Sequence, residues 1–211
     1  MKLLMKPTVL LKLTVLTLGL FAAGVAAAQA SVGQPAPPFA LTDTQGRAVT
    51  LAEFKGKHVV LEWLNPGCPY VQKHYNSGNM PATQKQARSS GVVWLAVNST
   101  AIEHFDYRKP DDLAAWLKSK DATPTATLMD SDGKVGRAYG ARTTPHLYVI
   151  DPTGKLVYAG AIDSIPSASV ADIKGATNYV NQALGETLAG KAVSKPVSQA
   201  YGCSIKYANA G

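Results

Sequence analysis

The stretch His58-Val59-Val60-Leu61-Glu62-Trp63-Leu64-Asn65-Pro66-Gly67-Cys68-Pro69-Tyr70-Val71 decides the fold. Its first seven residues are apolar almost throughout, as a strand buried on both faces requires. Asn65-Pro66-Gly67 ends the strand. Pro69 is tolerated at the first position of a helix, here predicted to about Ser77. Gly78 interrupts that helix, and a second is expected from Asn79 to about Ser89. Val92–Val97 is a second buried strand. Asp111–Lys120 is an amphipathic helix with Leu113, Trp116 and Leu117 on one face. Strands follow at Thr125–Met129 and His146–Ile150, the latter in a hairpin with Leu156–Ala159, and a last helix at 172–188. Strands alternating with helices, then a hairpin and a closing helix, give an α/β fold in three layers, a central mixed β-sheet with helices on both faces.

The 211 residues suffice for one domain with a real core. Hydrophobic residues at 46% and charged residues at 17% exclude a disordered chain. The net charge is +7, but Lys2, Lys6 and Lys12 sit together near the start and the other cations are scattered. No nucleic-acid partner is expected. Residues 1–30 read as a secretory signal peptide: a basic segment, an apolar run from Leu13 to about Val25, and the small-x-small site Ala28-Gln29-Ala30. The mature chain would begin at Ser31, exported to a periplasmic or secreted location with no stable membrane insertion. An uncleaved membrane anchor is the alternative. Residues 31–190 form the predicted domain and 191–211 a tail carrying Cys203. Export makes the redox state of Cys68 and Cys203 the central question.

Cys68 lies where a buried strand meets a helix. The first helical amides are unpaired and partly positive, so they favour a thiolate nucleophile there. The plain alternative is an inert buried thiol. Glu62 lies six residues earlier in a run where an unpaired carboxylate is costly. It is a candidate proton shuttle beneath the sulfur, or else a solvated edge residue. Thr143-Thr144-Pro145 stands before an apolar strand, where a cis bond would present the Thr144 backbone to an extended substrate.

With these residues assembled, the chain resembles the thioredoxin superfamily, in its redoxin or peroxiredoxin-like (AhpC/TSA-type) branch, over about residues 32–190. Val32-Gly33-Gln34-Pro35-Ala36-Pro37 with Phe39, the Glu62–Pro69 segment, Thr144-Pro145 and the following hairpin carry the resemblance. It implies a thioredoxin-like fold and a thiol oxidoreductase with Cys68 as nucleophile, Glu62 as the acid beneath the site, and Thr144 and Pro145 at the substrate. No metal or other cofactor is implied. Two departures matter. Val71 stands where a Cys-x-x-Cys pair would have its second cysteine. Leu61 and Asn65 replace the proline and the Thr/Ser of the peroxiredoxin pattern, and Pro145 falls where its arginine would lie. Asn65 remains a candidate hydrogen-bond donor to substrate.

Cys203, in Tyr201-Gly202-Cys203-Ser204-Ile205-Lys206-Tyr207, is the second cysteine. A tail docked by its aromatic residues would place it beside Cys68, as a resolving cysteine in a Cys68–Cys203 disulfide. A permanent staple or an intermolecular link are the alternatives. The implied substrate is a protein disulfide or a small hydroperoxide, with an external thiol reductant. His146, next to Pro145, is a candidate for lowering the Cys68 pKa or binding a metal. His74 is expected on the solvated or capping side of its helix, and His58 and His104 at the surface. A metal-binding or partner-binding module on the same scaffold is the non-enzymatic reading.

Overall fold

A computed structural model describes Met1 and residues 29–208. Most of the predicted signal segment lies outside the described residues. Among those described, no helix is long and apolar enough to cross a membrane.

The lead-in forms a hairpin of β1 (Ala40–Asp43) and β2 (Ala48–Thr50). A 3-10 turn at Leu51–Phe54 follows, where Glu53 Oε1 accepts the Thr50 amide at 2.7 Å. Then come β3 (Val59–Trp63), α1 (Pro69–Asn76), α2 (Asn79–Ser89), β4 (Val93–Asn98), α3 (Pro110–Ser119) and β5 (Ala126–Met129). The chain continues through α4 (Lys134–Tyr139), β6 (Thr143–Thr144), β7 (His146–Ile150), β8 (Leu156–Gly160), α5 (Tyr179–Leu188) and β9 (Cys203–Ser204).

Seven strands form one sheet in the order β2-β1-β5-β4-β3-β7-β8. β3, β4 and β5 are mutually parallel, and the other pairs are antiparallel. Every residue of β3 and β4 is buried, as their unbroken apolar runs require. Alternation along β3 splits the core in two. Val60 faces α1, α2, α3 and α5 through Val71, Met80, Leu113 and Val180. Val59, Leu61 and Trp63 face Tyr139 of α4 and the lead-in residues Ala36 and Phe39. Helices thus cover both faces, unequally.

The helix expected at 172–188 is divided. A 3-10 turn at Val170–Gly175 precedes α5. Asn178 explains the restart, because its side chain caps α5 by accepting the Asn181 amide at 2.9 Å. The chain before it is pulled onto Ile162 and Ser164 by backbone bonds from Tyr179 and to Thr177.

Candidate active site

Cys68 is the N-cap of α1, with Pro69 in the first turn. The bend that delivers it is held by Asn65. The Asn65 carbonyl accepts the Cys68 amide at 3.0 Å, and its Oδ1 accepts the Gly67 amide at 2.7 Å. Its Nδ2 donates to Thr100 Oγ1 at 3.2 Å. Asn65 thus shapes the loop, with one of its two Nδ2 hydrogens engaged there. A Cβ at Gly67 would sit 3.0 Å from Asp106 Oδ1 and 3.3 Å from Asn65 Oδ1, a tight fit that those side-chain ends would have to yield to.

Cys68 is 2% exposed. Its thiol donates to the Thr144 carbonyl at 3.1 Å. The Thr144–Pro145 bond is cis, and the Thr144 backbone faces the sulfur. A strand already lies along it: β9 pairs antiparallel with β6, Thr144 opposite Cys203. The Cys203 amide points at Cys68 Sγ, 3.4 Å away. Both residues are free thiols. Burial, and then the adjoining Cys68 sulfur, push the Cys203 thiol up to about 12.

The tail reaches this position along a continuous path. Val197 bridges Ala159 at the β8 edge. Ser198 Oγ accepts the Ala161 amide at 2.9 Å. Tyr201 packs edge-on to Tyr70 at 5.8 Å and donates its hydroxyl to Asp163. Beyond Cys203, the Ile205 amide donates to the Arg142 carbonyl at 3.0 Å, and Tyr207 OH to the Ala141 carbonyl at 2.8 Å. Tyr201 and Cys203 join one core and Ile205 the other, so the tail straddles the end of the sheet above Cys68.

Glu62 is fully buried on the Cys68 side of the sheet. Its Oε1 accepts from Tyr75 OH at 2.7 Å. Its Oε2 accepts from Trp94 Nε1 at 2.7 Å and Gln84 Nε2 at 3.0 Å. Burial raises its pKa, and the three donors oppose that rise. The solvated-edge alternative is excluded, and the carboxylate's bonds go to these donors and not to Cys68. None of the three donors was singled out in the sequence. Strand parity offers the signal: Val60 and Glu62 share a face, and Trp94 pairs with Val60.

His74 corrects another expectation. It is fully buried, with Tyr201 OH at 3.2 Å, Asn79 Nδ2 at 2.8 Å and Asp163 Oδ2 at 3.8 Å. Lys73 beside it is buried too, 3.6 Å from Asp163. The tail covers a helix side that local periodicity assigns to solvent. His146 stacks on Tyr148 at 4.6 Å and turns Nδ1 toward the Arg142 amide and Tyr148 OH. It makes no bond to Cys68. Burial, with Arg142 adding to it, pushes its pKa down to about 4, so it is neutral and lends the thiol no charge. Among the described residues, no group of three or more His, Cys, Asp and Glu is placed to hold a metal ion.

The depressed pKa of His146 sets a pH dependence. The unfolded ring takes a proton near pH 6.5 while the folded ring resists it to about 4. This residue's contribution is present above pH 6.5 and lost as pH falls through 4, by about 3 kcal/mol at most. Urea titrations of the parent and of His146→Phe at pH 7 and 4.5 are expected to show the smaller loss in the variant. Parallel losses would remove His146 as the cause.

Solved structures with the same fold exist. An uncharacterized conserved protein from Geobacillus kaustophilus superposes with TM-score 0.72 at 27% identity, covering 86% of this chain and 94% of that one. A hypothetical protein from Sinorhizobium meliloti 1021 gives TM-score 0.71 at 25% identity, covering 85% and 96%. Among curated proteins, the thiol-disulfide oxidoreductase ResA of Bacillus subtilis is 30% identical over 131 residues, 60% of this chain. The match spans 65% of that relative's length. The architecture, with Cys68 at the strand–helix junction opposite a cis Thr144–Pro145 bond, agrees with a family model that matches residues 32–159, and the chain belongs to the AhpC/TSA family.

Proposed function

We propose that this chain is an exported thiol-disulfide oxidoreductase in which Cys68 attacks and Cys203 resolves. The approach of the Cys203 amide to within 3.4 Å of Cys68 Sγ, on a strand paired with Thr144, carries the reading. The similarity to a thiol-disulfide oxidoreductase supports the reaction class. The leader at residues 1–30 supports export.

The Cys68 thiolate attacks one sulfur of a substrate disulfide, and the other sulfur leaves as a thiolate. Cys203, deprotonated, attacks Cys68 in the mixed disulfide and expels the first substrate sulfur. The substrate gains two electrons and two protons, and the pair becomes a disulfide. An external thiol reductant restores it. An extended substrate would use the Thr143–Thr144 edge that the tail now occupies, so substrate and tail compete for one set of backbone groups. A disulfide substrate is favoured over a hydroperoxide by the site's donors. Leu61 faces the opposite core, and Arg142 lines with His146 a pocket that Cys68 does not line.

The test uses reduced protein and one equivalent of a disulfide-bonded peptide. Intact mass and peptide mapping are expected to show reduced peptide and a Cys68–Cys203 link in the parent. Cys203→Ser should stall as a peptide adduct on Cys68, and Cys68→Ser should do neither. Turnover in Cys203→Ser equal to the parent's would eliminate the resolving role. Faster oxidation of the pair by hydrogen peroxide than by the peptide would favour a peroxidase.

A further inference from the structure

We propose that Asp163 is a positioning residue for the exchange set out above, a role that rests on that reading: by anchoring the Tyr201 hydroxyl, it returns Cys203 to Cys68 after each attack.

A directed chain of hydrogen bonds converges on the Tyr201 hydroxyl. Asn79 Nδ2, at the start of α2, donates to His74 Nδ1 at 2.8 Å. The other ring nitrogen, Nε2, lies 3.2 Å from Tyr201 OH. Burial pushes the His74 pKa down to about 4, so the ring is neutral at pH 7. Nδ1 is its acceptor and Nε2 carries its proton. His74 therefore donates to the Tyr201 oxygen, which leaves the Tyr201 proton for Asp163 Oδ1. Such a chain strengthens each bond in turn, and it ends on a carboxylate, a strong acceptor.

The carboxylate is held by groups outside the tail. The Ile165 amide donates to its Oδ1 at 3.1 Å, and Lys73 Nζ lies 3.6 Å from its Oδ2. Lys73 is fixed in turn by donating to the Ile165 carbonyl at 3.3 Å. Lys73 and His74 belong to α1, the helix that Cys68 caps. The anchor is thus built on the element that carries the nucleophile. Tyr201 stands two residues before Cys203, closer to it than the tail anchors at Ser198 and Tyr207.

Access to the sulfur gives the anchor its part in the reaction. Cys68 is 2% exposed, so a disulfide reaches it with the tail lifted. Cys203 resolves the mixed disulfide when the tail docks again. The rate of resolution follows the docked fraction, which the Tyr201–Asp163 bond raises.

The experiment mixes reduced protein with one equivalent of dipyridyl disulfide and follows release of thiopyridone. Attack by Cys68 releases the first, at a rate that scales with reagent concentration. Attack by Cys203 on Cys68 Sγ expels the second in a unimolecular phase and leaves the Cys68–Cys203 disulfide. Tyr201→Phe keeps the ring that packs on Tyr70. In it the first phase is expected to run faster and the second to slow about ten-fold, the equivalent of about 1.4 kcal/mol. A loss of global stability that leaves the chain folded does not move the two phases in opposite directions. In an Asp163→Asn background, adding Tyr201→Phe is expected to slow the second phase by less than it does in the parent. If Asp163→Asn does not fold, the two phases of Tyr201→Phe decide. A parent-like second phase in Tyr201→Phe, parallel changes in both phases, or full additivity with Asp163→Asn would overturn the proposal and leave the exchange reading standing. A parent that releases the first thiopyridone and never the second would fail the exchange reading, and this proposal with it.

Discussion

Gly202→Val is expected to raise the alkylation rate of Cys203 at pH 8 by about ten-fold or more. Gly202 has φ +130°, and a Cβ there would lie 2.0 Å from the Thr144 carbonyl oxygen. That oxygen is backbone, fixed by β6 and the start of β7, so the tail has to move. Once the strand pair opens, Cys203 loses the burial and the Cys68 contact that push its thiol up to about 12. A thiol returned toward its ordinary range has far more thiolate at pH 8, offset in part by the weaker nucleophilicity of the less basic anion. Cys68 should react faster as well, because its cover leaves with the tail. Iodoacetamide labelling read by peptide mapping measures both sites. Gly185→Ala serves as control, since nothing lies within 4 Å of its added methyl. A parent-like rate at Cys203 in the variant would mean that β9 does not depend on the close approach at Gly202.

The sequence made the scaffold legible because its strongest signals are local. The two apolar runs are the two fully buried strands, and the breaks at Asn65–Gly67 and Gly78 fall where β3 and α1 end. Cys68 at the strand–helix junction follows from that order alone. The misses have a common cause in contacts across large sequence separations. His74 and Lys73 look solvated in α1, yet Tyr201, 127 residues beyond His74, covers them. Asn65 looks like a free donor, and Thr100, just past the end of β4, takes one of its two hydrogens. The family match itself stops at residue 159, well short of the tail. The position of Cys203 was therefore open in the sequence, argued only from Gly202 and the flanking aromatic residues.

Replacing Glu62 by Ala is expected to destabilise the fold by about 3–5 kcal/mol, the range for a large-to-small core change that also leaves buried donors unsatisfied. Three donors converge on this carboxylate from two helices and a neighbouring strand: Tyr75, Gln84 and Trp94. Removing it leaves all three buried without their acceptor and opens a cavity beside Val60 and Leu64. The pH dependence separates this role from ordinary packing. Burial holds the Glu62 pKa above the ordinary carboxylate value in the folded state, so the folded protein keeps a proton that the unfolded chain has released. Its contribution is fully present below that ordinary value and is lost as pH rises through the raised one. Glu62→Gln removes the titration but keeps the size. The stability difference between parent and Glu62→Gln, from urea melts at pH 4 and pH 8, should thus move against the parent as pH rises. A difference that stays flat would mean that Glu62 titrates as an ordinary carboxylate. In that case the donors balance burial, and the group is a fixed anion under the active-site helix, with no proton to relay at neutral pH.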